Sequence, residues 1–282
     1  MNYPKLSVWV TSCGRISFLP STIETFISNC SYPNYEMIII ESQMTDISRQ
    51  FFALEFVKEK ETAEYLKTLP EKFPHVKFNI MTQPFRILGQ TYDQLLSLTG
   101  DYFLNIEDDL TTHGDPCNEI AEDIKLLDSD PGLLGVRVDL RDETVFENCP
   151  RFNGFEMKQV DDYKYYIWKD WCSGGAQVMD ARKVRAIGGY ITTHAPNDYI
   201  MTEKDQSAKM RDAKMYTGIG LKYYGFLAHI GHHGVQGGDR TWTVEAYGDA
   251  AQSGYFGDGS QKKDKQHNRD YYLGKRIDNG KA

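Results

Sequence analysis

The chain has no paired-cysteine motif. Cys13, Cys30, Cys117, Cys149 and Cys172 lie far apart, with no CxxC and an odd count, which speaks against a disulfide framework and for a reducing compartment. It has no apolar run near the roughly 20 residues that span a bilayer. Met1-Asn2-Tyr3-Pro4-Lys5 leads straight into a strand-like run with no signal-like stretch, so the expectation is a soluble, cytoplasmic protein. Positive charge is in deficit: a net charge of −8 argues against a broadly basic nucleic-acid surface. The common phosphate and nucleophile motifs are missing too. Without GxxxxGK[ST], GxGxxG or GxSxG, ATPase and Rossmann dehydrogenase readings are weak and no serine elbow is present. There is no internal repeat and no clear linker.

What the chain does have is a packable interior. At 282 residues, 40% hydrophobic and 13% aromatic, it suits one large α/β domain or a core with a smaller appendage. Its 18 tyrosines fit a protein that stacks on sugars or bases, although they fit surface decoration equally. Strand-like runs at 6–11, 36–41, 76–81, 102–104 and 133–138 alternate with helical patterns at 19–27, 51–69, 91–98 and 118–127. The second helix is expected to stop before Pro70. This rhythm means a mostly parallel, Rossmann-like sheet with helices on both faces. Ligands of such sheets bind outside the carboxyl ends of the strands.

Two polar clusters fall at those ends. One is the turn Thr11-Ser12-Cys13-Gly14-Arg15 after the first strand, and the other is Glu107-Asp108-Asp109, shortly after the apolar run 102–104. Stacked carboxylates repel one another and lose hydration in a cleft, so a cation is expected beside them. Mg²⁺ typically takes one or two carboxylates plus substrate phosphates, so the triplet suggests a metal held against a phosphorylated ligand. The competing reading is a solvated acidic loop.

The second half loses the rhythm. Residues 139–169 read as irregular. Trp171 stands before Gly174-Gly175, where a backbone could approach a ligand beside a stacking ring. A helix over 181–187 ends at Gly188-Gly189, and Thr202-Glu203-Lys204-Asp205 reads as the capped start of a helix to about 213. The helix dipole alone would explain the acids there. A strand over 221–227 precedes His229, His232 and His233. Adjacent His232 and His233 point to opposite faces of an extended segment, so one histidine sharing a cation with the triplet is favoured over three on one ion. From 236 the chain turns Gly-rich and polar, then basic at Lys262, Lys263, Lys275 and Arg276.

Over residues 6–235 this order of features resembles the GT-A fold nucleotide-sugar glycosyltransferases, family-two-like in outline. Glu107-Asp108-Asp109-Leu110 is similar to the Glu-Asp-Asp form of the Asp-x-Asp motif in N-acetylglucosaminyltransferases. The resemblance implies that Asp109 binds Mn²⁺ or Mg²⁺, with His229 or, as runner-up, His233. It implies donor contacts from Thr11, Ser12, Arg15, Glu107 and Asp108, and an acceptor side built from Trp171, Gly174 and Gly175. Glu203-Lys204-Asp205 resembles the Glu-Asp-x-Asp helix start that supplies the base of inverting members, but Lys204 interrupts the pair, leaving Glu203 and Asp205 as alternatives. The expected layout is a domain over 1–235, with a nucleotide-sugar half (1–138) and an acceptor half (139–235), and a C-terminal extension over 236–282.

The expected activity is metal-dependent hexosyl or pentosyl transfer from a nucleotide diphosphate to an acceptor hydroxyl, with inversion. The acceptor would be a glycan or a hydroxymethylated DNA base, the latter if the basic tail with Tyr271 and Tyr272 meets a phosphate backbone. The alternatives are a metal-dependent nucleotide-sugar hydrolase and a non-catalytic glycan-binding protein. The oligomeric state is left open.

Overall fold

The computed structural model describes residues 3–43, 58–86, 88–138, 156–169, 172, 175–190, 199–223 and 225–229, with the backbone alone for 199–204, 228 and 229. Among the described residues nine strands form one mixed sheet in the order β3-β2-β1-β4-β9-β6-β10-β8-β7. The left part is parallel: β1 (Leu6–Ser12) lies between β2 (Tyr35–Gln43) and β4 (Tyr102–Glu107), and β3 (Lys77–Pro84) flanks β2. To the right, β9 (Gln177–Asp180) runs antiparallel between β4 and β6 (Leu133–Arg137). β10 (Tyr216–Gly220) is parallel to β6, and the hairpin β7–β8 (Met157–Val160, Tyr163–Trp168) closes the edge. Among these nine strands β8 and β9 run against the other seven, so the expected mostly parallel direction holds.

Central strands read as unbroken apolar runs because both faces are covered. Leu6, Val8 and Val10 point to one core with Leu19, Ile23 and Phe26 of α1 (Leu19–Asn29), Leu66 and Leu69 of α2 (Glu59–Lys72), and Ile120 and Leu127 of α4 (Cys117–Ser129). Trp9 points to the other, with Tyr92 and Leu95 of α3 (Leu88–Leu98) and Val184 of α5 (Ala181–Ala186). Trp9 stacks on Phe103 with ring centroids 3.7 Å apart, and its indole N–H donates to Thr99 Oγ1 at 2.7 Å.

Four expectations change. α2 continues through Pro70 to Lys72; a proline there removes one helix bond, and burial of Leu66 and Leu69 holds the turn. Within 139–169, Tyr163–Trp168 is a strand whose residues alternate between buried and more exposed, and Asp161 turns the hairpin at φ +53°. α6 (Tyr199–Asp212) starts three residues before Thr202, so Thr202 is not its cap. The strand expected over 221–227 is replaced by β10 and by a short β11 (Leu227–His229), which pairs antiparallel with β5 (Leu110–Thr112).

Candidate functional site

From β1 the chain passes through α1 to β2 and β3 on one side, then returns through α3 to β4 on the other. The gap between β1 and β4 is therefore the point where the strand order reverses, the place where open α/β sheets hold ligands. Register places Thr11 beside Glu107, and Ser12 beside Glu41 of β2. β4 ends at Glu107, and Asp108-Asp109 turn the chain into β5.

Arg15 reaches across this gap. Its Nη1 lies 2.5 Å from Asp108 Oδ1 and its Nη2 2.9 Å from Asp109 Oδ2. Asp108 and Asp109 are buried, and Thr22 of α1 donates to the Asp108 carbonyl at 2.8 Å. Burial pushes the Asp108 carboxyl up to about 6, with Asp109 and Glu107 adding to the rise and Arg15 opposing it. Arg15 itself is raised: burial disfavours its charge, but Asp108 and Asp109 outweigh it. The cluster thus carries more negative charge than one guanidinium neutralises.

Glu41 was not among the residues expected here. It is fully buried and accepts the Gly14 N–H at 2.7 Å, which fixes the turn where Gly14 adopts φ +67°, a region suited to glycine. Burial pushes its carboxyl up to about 8, against the Gly14 N–H, which favours the ionised form. An acid closing the apolar run 37–40, as Glu107 closes the run in β4, was the available signal.

Gly175 comes to Glu107. A Cβ there would stand 2.7 Å from Glu107 Cδ, so Gly175 and the acidic triplet share one corner. The Ala176 N–H donates to the Asn105 carbonyl at 2.9 Å. Asp205 lies in the second turn of α6, and Ser207 on the same helix accepts the Cys172 N–H at 2.8 Å. That ties α6 to the backbone at Cys172. β11 sets His229 opposite Leu110, next in sequence to Asp109. Trp171, Gly174 and His233 lie outside the described residues, as do the side chains of Glu203 and His229.

Among the described residues no group of three or more His, Cys, Asp or Glu forms a metal cage. A cage is not what a nucleotide-bound cation needs, since one or two carboxylates plus phosphate oxygens suffice. Three adjacent acids, Glu107, Asp108 and Asp109, against one guanidinium fit such a cation.

No protein-family model matches the chain, and no curated protein matches it by sequence. Solved structures do match. The mannosyltransferase PcManGT from Pyrobaculum calidifontis, in complex with GDP-Man and Mn²⁺, superposes with TM-score 0.58 at 13% identity, over 83% of this chain and 59% of that one. GalNAc-T7 with UDP, GalNAc and Mn²⁺ gives 0.55 at 12% identity, over 96% and 55%. S. aureus TarS with UDP gives 0.51 at 9%, over 79% and 59%. The fold is GT-A-like. At these identities the likeness is one of fold, and the chain spans less than two thirds of the length of each of the three. Among the described residues no helix is long and apolar enough to cross a membrane.

Proposed function

We propose that this chain is a nucleotide-sugar glycosyltransferase that moves a hexosyl or pentosyl group to an acceptor hydroxyl with the help of Mn²⁺ or Mg²⁺. The observation that carries the reading is the convergence of Ser12–Arg15, Glu41 and Glu107–Asp109 at the switch point of a GT-A-like sheet. Glutamates and aspartates are poor partners for a bare diphosphate. Together with Arg15 and a shared cation, they suit one.

Thr11, Ser12, Glu107 and Asp108 are assigned to the donor, with Arg15 facing its phosphates. Asp109 would hold the cation with His229, or with His233 as the alternative. When bound there, the cation would supply charge stabilisation to the leaving diphosphate. Transfer itself is a direct displacement: the acceptor oxygen bonds to the anomeric carbon, the bond from that carbon to the phosphate oxygen breaks, and the nucleoside diphosphate leaves with the electron pair. The acceptor proton passes to a carboxylate, Glu203 or Asp205, which contributes typically ~10²–10⁴-fold. Attack opposite the leaving group inverts the anomeric centre. Trp171, Gly174 and Gly175 are assigned to the acceptor, a glycan or a hydroxymethylated DNA base. Cys13, Cys30, Cys117 and Cys172 are free thiols, which favours the cytoplasm.

A panel of nucleotide sugars incubated with and without candidate acceptors, read by mass spectrometry, tests the reading. A glycosylated acceptor is the expected product, and Glu203→Gln or Asp205→Asn should abolish it while donor binding persists. Free sugar formed equally fast without acceptor would favour the hydrolase. Transfer surviving both substitutions would remove these two acids as the base.

A further inference from the structure

We infer that Arg15 couples the two ligands of this site: it occupies the acidic pair until a diphosphate draws it away, so that cation and nucleotide bind as one unit. The inference rests on the donor-site reading above and adds to it an order of assembly.

The geometry is that of a shared carboxylate. Asp109, the residue assigned to the cation, already receives Arg15 Nη2 at 2.9 Å, while Asp108 receives Nη1 at 2.5 Å. Side-chain exposure is 14% for Arg15, 4% for Asp108 and 1% for Asp109, so the three charges interact with little water between them. A divalent ion placed on Asp109 would sit within a few ångströms of the guanidinium, where like charges oppose each other. Without another partner for Arg15, the cation competes with it for one acid.

A diphosphate offers that partner. The guanidinium fork matches carboxylate and phosphate oxygens with the same two-pronged geometry, so Arg15 can exchange one for the other at modest cost. Arg15 keeps unused capacity for the exchange, and Asp108 has a second donor to fall back on. Arg15 Nε is a buried donor without an acceptor, and Asp108 already shares its carboxylate with Ser12. The backbone around Arg15 need not move, because its carbonyl caps the entry to α1 by accepting the N–H groups of Phe18 and Leu19. The side chain alone can swing. A role as structural glue between β1 and β4 makes a different forecast, since it gives Arg15 no reason to respond to nucleotide.

Mn²⁺ binding followed by the loss of its free-ion paramagnetic resonance signal, with and without UDP or GDP, decides the matter. The wild-type protein should bind Mn²⁺ weakly alone and about 5- to 150-fold more tightly with the nucleotide that binds, the usual range for coupled sites. Arg15→Gln should bind nucleotide-free Mn²⁺ more tightly than the wild type and lose most of the enhancement, and Arg15→Lys should fall between. Nucleotide binding that leaves the wild-type Mn²⁺ affinity unchanged overturns the coupling while sparing the donor site, and that comparison needs no variant. A folded Arg15→Gln with unchanged or weaker nucleotide-free Mn²⁺ binding overturns it as well. Failure of both UDP and GDP to bind at any Mn²⁺ concentration overturns the coupling and the donor-site reading together.

Discussion

Glu41 sets the pH behaviour of the turn that carries Arg15. Its carboxyl, ordinarily near 4.5, is pushed up to about 8 by burial. The folded chain therefore holds a proton that the unfolded chain has released between those values, and stability falls as pH rises across that interval. Glu41→Gln removes the ionisation. Urea midpoints should show the variant gaining on the wild type between pH 5 and pH 8, and a pH-independent gap would contradict the account. Gly175 acts through the side chain it leaves room for. In Gly175→Ala the new Cβ would meet the mobile end of Glu107, 2.7 Å from Cδ and 2.8 Å from Oε1. The melting temperature should change little, while nucleotide-sugar affinity measured by calorimetry falls about tenfold, equivalent to about 1.4 kcal/mol. An unchanged affinity would take Glu107 off the donor.

At the scale of elements, β1 is held by what packs on either face. Trp9→Ala deletes the Phe103 stack and the Thr99 hydrogen bond from a fully buried position. Urea unfolding should record a loss of about 3–5 kcal/mol. Strands of this kind were legible because burial on both faces writes an apolar run into the sequence. β10 was not, since the glycines of Tyr216-Thr217-Gly218-Ile219-Gly220 interrupt any strand pattern. Its glycines are there because neighbours fill the space: a Cβ at Gly218 would stand 2.9 Å from Leu133 Cδ1, and one at Gly220 would strike the Tyr163 hydroxyl. That information sits in β6 and β8, not in β10. The hairpin strand Tyr163–Trp168 did carry a readable alternation, hidden among polar residues. The start of α6 was misread because Thr202-Glu203 satisfies helix interior and helix cap alike.

The site showed the same division at the scale of the whole molecule. The acidic triplet and the Ser12–Arg15 turn were readable as polar clusters closing apolar strands. Their shared sheet edge was readable too, but not the direct contact between them, because that depends on the strand order, with β4 crossing over to the far side of β1. The salt bridge from Arg15 and the approach of Gly175 to Glu107 follow from that crossover. The central claim is that this crevice holds a nucleoside diphosphate with a cation on Asp109. Calorimetric titration of UDP and GDP into the wild type and Asp109→Asn, with Mn²⁺ and with chelator, addresses it most directly. The expected result is Mn²⁺-dependent binding of one nucleotide to the wild type and loss of that dependence in Asp109→Asn. Equal binding by both proteins in chelator would contradict it.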